Sequence, residues 1–326
     1  MTIQQIYKQA ITLGIAHDLR PRAQVIKYLK RMKEAHAKLS REEKKYFDAE
    51  GLTNPYLDTR VHFDSGVKNV KRVMAGIDID SAEILLAHTL SEKNPKKPID
   101  LVIAHHPVGK GLMGLDAVMG LQVDVLAQYG VPINIAETLV KKRISEVSRG
   151  IDPVNHFKAV DAARLLNVGY MCTHTITDNM VATFLKKKIA KDKPEYVGDI
   201  LTSLMEIPEY QEAKKQGGGP RLFTGEKENH AGVIAITEVT GGTEGSENIY
   251  EKLASAGVGT IIAMHQSEKH RENAKKAHIN IVIAGHMSSD SIGMNLFLDE
   301  LEKEGIEIIP CSGLIRYSRV KRRKKR

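Results

Sequence analysis

The sequence predicts an α/β protein of two related α/β lobes, their sheets flanked by helices, behind a helical N-terminal extension. Three observations carry that expectation. Short apolar runs alternate with amphipathic stretches from Val70 onward, the pattern of strands crossed by helices. The order strand, His-x3-Asp, helix occurs twice, at His174/Asp178 and at His286/Asp290. Residues 3–46 are long and helix-favouring, with Ile6, Ile11 and Ile15, then Val25, Ile26, Leu29 and Met32, near helical spacing.

In chain order, the extension spans residues 1–56. Its second part, Arg20 to Lys45, holds ten Lys or Arg against three Glu, which reads as a solvated helix face or as an RNA-facing or anionic surface. The first lobe, 57–190, contains the apolar runs RVMAGIDI, IDLVIAHH, GVPINIA and VGYMCTHT. Between them lie helices that begin at Ser81 and that span His156–Leu166, and a helix over Asn179–Ala190 follows the last run. Residues 191–229 lose periodicity, carry Pro194, Pro208 and QGGGP, and form the expected connecting segment. The second lobe, 230–318, holds AGVIAITEV, GTIIAMH and INIVIAGH, with helices over Glu247–Ala256 and His270–Ala277. A last helix places Met294, Phe297, Leu298 and Leu301 at i, i+3, i+4, i+7, and IEIIP closes the lobe. Residues 319–326 are a basic tail.

Composition narrows the function. The 326-residue chain carries +8, but its last eight residues hold seven of those charges, so the rest is close to neutral. Bulk charge does not imply a duplex-wrapping protein; a nucleic-acid contact would fall to the tail or a local patch. Only Cys172 and Cys311 occur, too few for a disulfide framework or a thiolate-rich metal site, which suits a reducing compartment. No apolar stretch approaches the ~18 residues needed to span a bilayer, and MTIQQIYKQA lacks the features of a secretory leader. The expectation is a cytoplasmic protein with no membrane partner.

The chemistry concentrates at strand ends. In DLVIAHHPV an apolar strand stops at His105 and His106 before Pro107. Adjacent residues of a continuing strand face opposite ways, so the two imidazoles converge only where the strand ends. The alternative is one structural and one exposed histidine. Asp178 and Asp290 either cap the helices that follow or act as ligands, and the two roles are compatible. Taken together, the imidazoles and carboxylates of three strand ends suit two divalent cations bridged by a carboxylate. The turn TGGTEGSENIY offers N–H groups to a phosphate or is an ordinary tight turn. His265 and His270 follow GTIIAM.

DLVIAHHPV, CTHTITDN, MHQSEKHRENA and IAGHMSSDS, in this order over Leu57 to Tyr317, resemble the dinuclear-metal family named after Nif-three, which includes type 2 GTP cyclohydrolase I homologues. The resemblance implies two divalent metals, Zn, Fe, Mn, Co or Ni, held by His105, His106, Asp178, His286 and Asp290. Asp290 stands where the family usually has glutamate, a shorter arm. His174 would serve beside the metals as a proton-transferring catalytic residue. The resemblance further implies a ring-shaped homo-oligomer, commonly a hexamer, and a hydrolase acting on a nucleotide-like small molecule. The alternatives are a non-enzymatic metal-bound scaffold or regulator contacting protein or nucleic acid, and a metal-dependent phosphodiesterase.

Overall fold

The computed structural model describes residues 1–320; of the predicted basic tail only Arg319 and Val320 lie among them. The extension forms α1 (Ile3–Ala16), α2 (Arg22–Lys38), α3 (Arg41–Tyr46) and a 3-10 turn at Ala49–Leu52. Then come β1 (Thr59–Phe63), β2 (Arg72–Gly76), α4 (Ser81–Lys93), β3 (Leu101–Ala104), α5 (Gly109–Met113), α6 (Leu115–Val118), α7 (Leu121–Gln128), α8 (Ile133–Ile151) and α9 (Lys158–Leu165). The chain continues through β4 (Tyr170–Thr173), α10 (His174–Asp192), α11 (Val197–Met205), α12 (Pro208–Lys215), β5 (Arg221–Thr224) and β6 (Val233–Glu238). It ends with α13 (Tyr250–Ser255), β7 (Val258–Ala263), α14 (Glu268–Lys276), β8 (Asn280–Ile283), α15 (His286–Lys303) and β9 (Glu307–Pro310).

Two sheets result, ordered β1-β4-β3-β2-β9 and β5-β8-β7-β6. Both have the same plan. An antiparallel edge strand, β1 or β5, borders three parallel strands, β4-β3-β2 or β8-β7-β6. β3, β4 and β8 are buried along their whole length, as strands covered on both faces must be, which explains their unbroken apolar sequences.

Three expectations need correcting. GVPINIA is not a strand: Gly130 turns the chain at φ +90°, Pro132 precedes the first turn of α8, and Ala136 and Val140 form a buried i, i+4 stripe. IEIIP does not close the second lobe. As β9 it pairs in parallel with the free edge of β2, Arg72 opposite Glu307, because α15 carries the chain back to the first sheet. The connecting segment is also more structured than its pattern suggests, since it supplies α11, α12 and the edge strand β5.

α10 and α15 lie at the centre. Every side chain from His174 to Ala182, and every one from Ser288 to Asn295, is buried, the all-round burial of helices enclosed by packing. Ile176, Met180, Met294 and Phe297 join the core of the first sheet, while Val181, Leu185 and Ile292 join that of the second. The two helices touch at Gly293, where a Cβ would overlap the Thr177 carbonyl oxygen. No larger residue fits without moving a backbone. That close crossing sets Asp178, next to Thr177, near Asp290, three residues before Gly293.

Candidate metal centre

Four strand ends converge on one cavity lined by His105, His174, Asp178, His265, His286 and Asp290. β3 stops at Ala104, and the His105 and His106 rings then lie side by side with centroids 5.0 Å apart. β4 ends directly in α10, whose first residue is His174 and whose fifth is Asp178. β8 leads through Gly285 into α15, which opens on His286 and carries Asp290 one turn later. Gly285 adopts φ +109°, a conformation an L side chain resists, and it directs His286 towards the other imidazoles. The i, i+4 spacing then puts His and Asp on the same helix face in both elements.

The six predicted residues meet. His105 Nε2 lies 3.5 Å from Asp178 Oδ1 and 3.5 Å from Asp290 Oδ1. On the other side of the same carboxylate, Asp290 Oδ2 lies 3.5 Å from His106 Nε2 and 3.4 Å from His286 Nε2. His174 Nε2 is 4.0 Å from Asp178 Oδ2. Three overlapping groups of potential ligand atoms follow: His105/Asp178/Asp290, His106/His286/Asp290 and His105/His106/His174. Asp290 belongs to two, offering one oxygen to each. Neither Asp178 nor Asp290 is among the residues whose side chains cap α10 or α15, so the capping alternative does not describe them.

Hydrogen bonds behind the rings fix their tautomers. The Thr177 hydroxyl gives its one proton to a backbone carbonyl, that of Thr173 or His174. It therefore accepts from His105 Nδ1–H at 3.0 Å, leaving the Nε2 lone pair facing the cavity. His106 Nδ1 bonds Asp78 Oδ1 at 2.7 Å and His174 Nδ1 bonds Asp58 Oδ2 at 2.8 Å. Such backing carboxylates orient imidazole ligands and raise their basicity.

The buried acids are poised for cations. Asp178 Oδ1 and both oxygens of Asp290 are buried without a hydrogen-bond partner, an arrangement that costs several kcal/mol unless a positive charge is present. Burial pushes the Asp178 carboxyl up to about 8, with Asp290 and Asp58 adding to the effect against the pull of His174. Asp290 is driven the other way: burial opposes ionisation, but His105, His106 and His286 hold its carboxyl well below the usual range. Burial takes His105 down to about 4. It works against the His174 cation too, yet Asp178, Asp58 and Asp290 outweigh it and raise that ring to about 9.

Asp58 and Asp78 are the functional residues sequence reasoning missed. Asp58 is fully buried before β1 and also accepts from Thr175 Oγ1 at 2.5 Å. Its only signal is adjacency to an edge strand whose partner, β4, carries His174. Asp78 follows β2 in RVMAGIDID, one more strand end in the sheet that bears the double histidine. The glycine-rich turn forms the opposite cavity wall, with Gly241 and Gly242 at positive φ. Glu238 and Glu244 stand on that wall, so its charge disfavours the phosphate reading. His265 faces the cavity, its ring 4.7 Å from His286; His270 instead sits buried behind the wall, bonded to Tyr250 Oη at 2.8 Å.

Comparison with solved structures agrees with this architecture. The chain is similar to a NIF3 superfamily protein from Sphaerobacter thermophilus, at 26% identity over 81% of this chain and 94% of that one, with a TM-score of 0.66. Looser likenesses, to reduced HcgD from Methanocaldococcus jannaschii and to a protein from Thermus thermophilus, each stand at 14% identity. They cover 82% and 86% of this chain and 94% and 100% of those chains, with TM-scores of 0.48 and 0.46. No family model and no curated protein matches the chain. Among the described residues no helix is long and apolar enough to cross a membrane.

Proposed function

We propose that the chain, which is similar to a NIF3 superfamily structure, is a member of that superfamily, binds two divalent cations and hydrolyses a nucleotide-like small molecule. The observation that carries the proposal is Asp290. It is buried and unpaired at both oxygens, and each oxygen faces a separate set of ligands, His105 with Asp178 on one side and His106 with His286 on the other. Imidazole and carboxylate donors suit Zn, Fe, Mn, Co or Ni, and the donor set fits two of them. Bound there, the cations would supply Lewis acidity and a water acidified towards neutral pH.

The protein's own groups do the rest. Thr177 and Asp78 hold His105 and His106 with Nε2 inward. Asp58 fixes the Nδ1 proton of His174, so the atom that can exchange a proton with the cavity is Nε2. A homo-hexameric ring is part of the same proposal. α4 and α9 pack together and leave Leu85, Leu86, Leu90 and Leu165 exposed, an apolar face that a second copy would cover.

The test is turnover. Metal-loaded protein is assayed with GTP, other nucleotides and chromogenic phosphodiesters, beside His106→Ala and His174→Ala. Turnover should fall at least a hundredfold in both variants, while His174→Ala keeps its metal. Turnover unchanged in His106→Ala contradicts the proposal, and full metal with no turnover on any substrate favours the scaffold reading.

A further inference from the structure

Charge is unevenly distributed along this chain. Residues 20–45 carry +7 and residues 319–326 carry another +7, so against a total of +8 everything else sums to −6. The molecule is an acidic body bearing basic appendages. One of them, α2, is described in full, and its two faces differ sharply.

At 100° per residue, Val25, Tyr28, Leu29, Met32 and His36 share one side of α2. Val25 is buried and the other four are half-buried, and the helix lies against the 3-10 turn Ala49–Leu52 and α1. The rest of its surface holds Arg22, Lys27, Lys30, Arg31, Lys33 and Lys38, all exposed, against the single acid Glu34 of the helix, and Lys27 and Arg31 border a cleft that Asp124 also lines. Lys30 is 3.8 Å from Glu34 with both side chains largely in water, which leaves the other five cations without a salt-bridge partner among the described residues. Lys27, Arg31 and Lys38 fall in one row along the axis, with Lys30 beside it. Successive turns space such cations by ~5.4 Å.

We propose that the outer face of α2 binds the phosphate backbone of a nucleic acid without sequence preference. Charge complementarity selects a polyanion, and the orientation of the apolar stripe decides which. A helix that lies in a membrane surface needs its apolar face free to enter the acyl boundary. Here that face is partly covered by the protein, with Val25 buried and Tyr28, Leu29, Met32 and His36 half-buried, and Ile26 is the one large apolar side chain of α2 that is exposed, at 55%. A second copy of the chain would have to offer an acidic strip. A phosphate backbone offers regularly spaced charge to three or four cations, releasing counterions as it does so.

The experiment uses the full chain and a fluorescein-labelled 20-nucleotide oligouridylate, followed by anisotropy between 50 and 200 mM salt. The wild type binds, with a log–log salt slope of about −2 to −3 for three or four phosphate contacts on a single strand. Lys27→Glu/Arg31→Glu/Lys38→Glu weakens binding at least tenfold, with an unchanged melting curve because all three side chains are exposed. Lys93→Glu/Lys96→Glu/Lys97→Glu makes the same change in net charge elsewhere and stays within twofold. Absence of binding by the wild type overturns the proposal, as does an equal loss in both triple variants. So does binding that vanishes on removal of residues 321–326 while the α2 variant binds normally, or retention on phosphatidylserine vesicles, through the same three residues, without retention of the oligonucleotide.

Discussion

The two lobes share a plan and divide the work unequally. Matching the sheets strand for strand sets β1-β4-β3-β2 against β5-β8-β7-β6. Ala104, paired with Gly76 and Cys172, then corresponds to Ala263, paired with Glu238 and Ile283. His105 N–H donates to the Gly76 carbonyl as Met264 N–H does to that of Glu238. His105 therefore corresponds to Met264 and His106 to His265, while His174 and Asp178 on α10 correspond to His286 and Asp290 on α15. The first lobe keeps all four polar groups in the cluster. The second gives up one to an apolar methionine, leaves His265 at the rim, and contributes its aspartate to the middle. A repeated scaffold thus delivers strand ends to one place, while the residue at each end decides whether it joins the polar cluster.

The comparison is broken most severely at Asp290. Asp290→Asn should abolish binding at both ligand sets, taking metal content from about two per chain to well under one. Asp178→Asn, its counterpart on α10, should lose about one. Equal losses in the two variants, read by elemental analysis, would mean the lobes contribute alike.

Next in size is the helix contact that aligns the lobes. Gly293→Ala places a methyl against the Thr177 carbonyl oxygen and should destabilise by about 1–3 kcal/mol through overpacking. Gly150→Ala, inside α8 with open space around its Cβ position, should stabilise by up to ~1 kcal/mol. Chemical denaturation of both variants checks the contrast.

Asp58→Asn sharpens the asymmetry of the two His-x3-Asp elements, since His174 has a buried carboxylate behind it and His286 has no such partner among the described hydrogen bonds. The variant should keep about two metals yet lose about tenfold or more of any turnover, as the ring loses its orientation and its charge support. The smallest effect belongs to His265→Ala. An exposed ring outside the three ligand groups should leave metal content unchanged and stability within ~0.5 kcal/mol, measured by elemental analysis and thermal melting.

The α/β alternation, most strands and the six side chains that come together were legible because each signal was local: an apolar run, its end, and a histidine or aspartate within a turn of it. What failed was non-local. The partner of β9 is chosen by where α15 deposits it, and IEIIP says nothing of that. GVPINIA looked like a strand because three apolar residues look alike at the start of a helix and in a sheet. Asp58 lies between Leu57 and Thr59 and Asp78 between Ile77 and Ile79, and only strand pairing reveals which histidines they support. Resemblance to a family supplied the ligand set; the geometry added that Asp290, despite its shorter arm, reaches both sides.

In the proposed centre one aspartate serves two cations. Anomalous diffraction from crystals of the metal-loaded protein tests it directly. Two peaks should flank the Asp290 carboxylate, one against His105 and Asp178 and the other against His106 and His286. A single peak, or two that leave Asp290 out of contact with either, would contradict it.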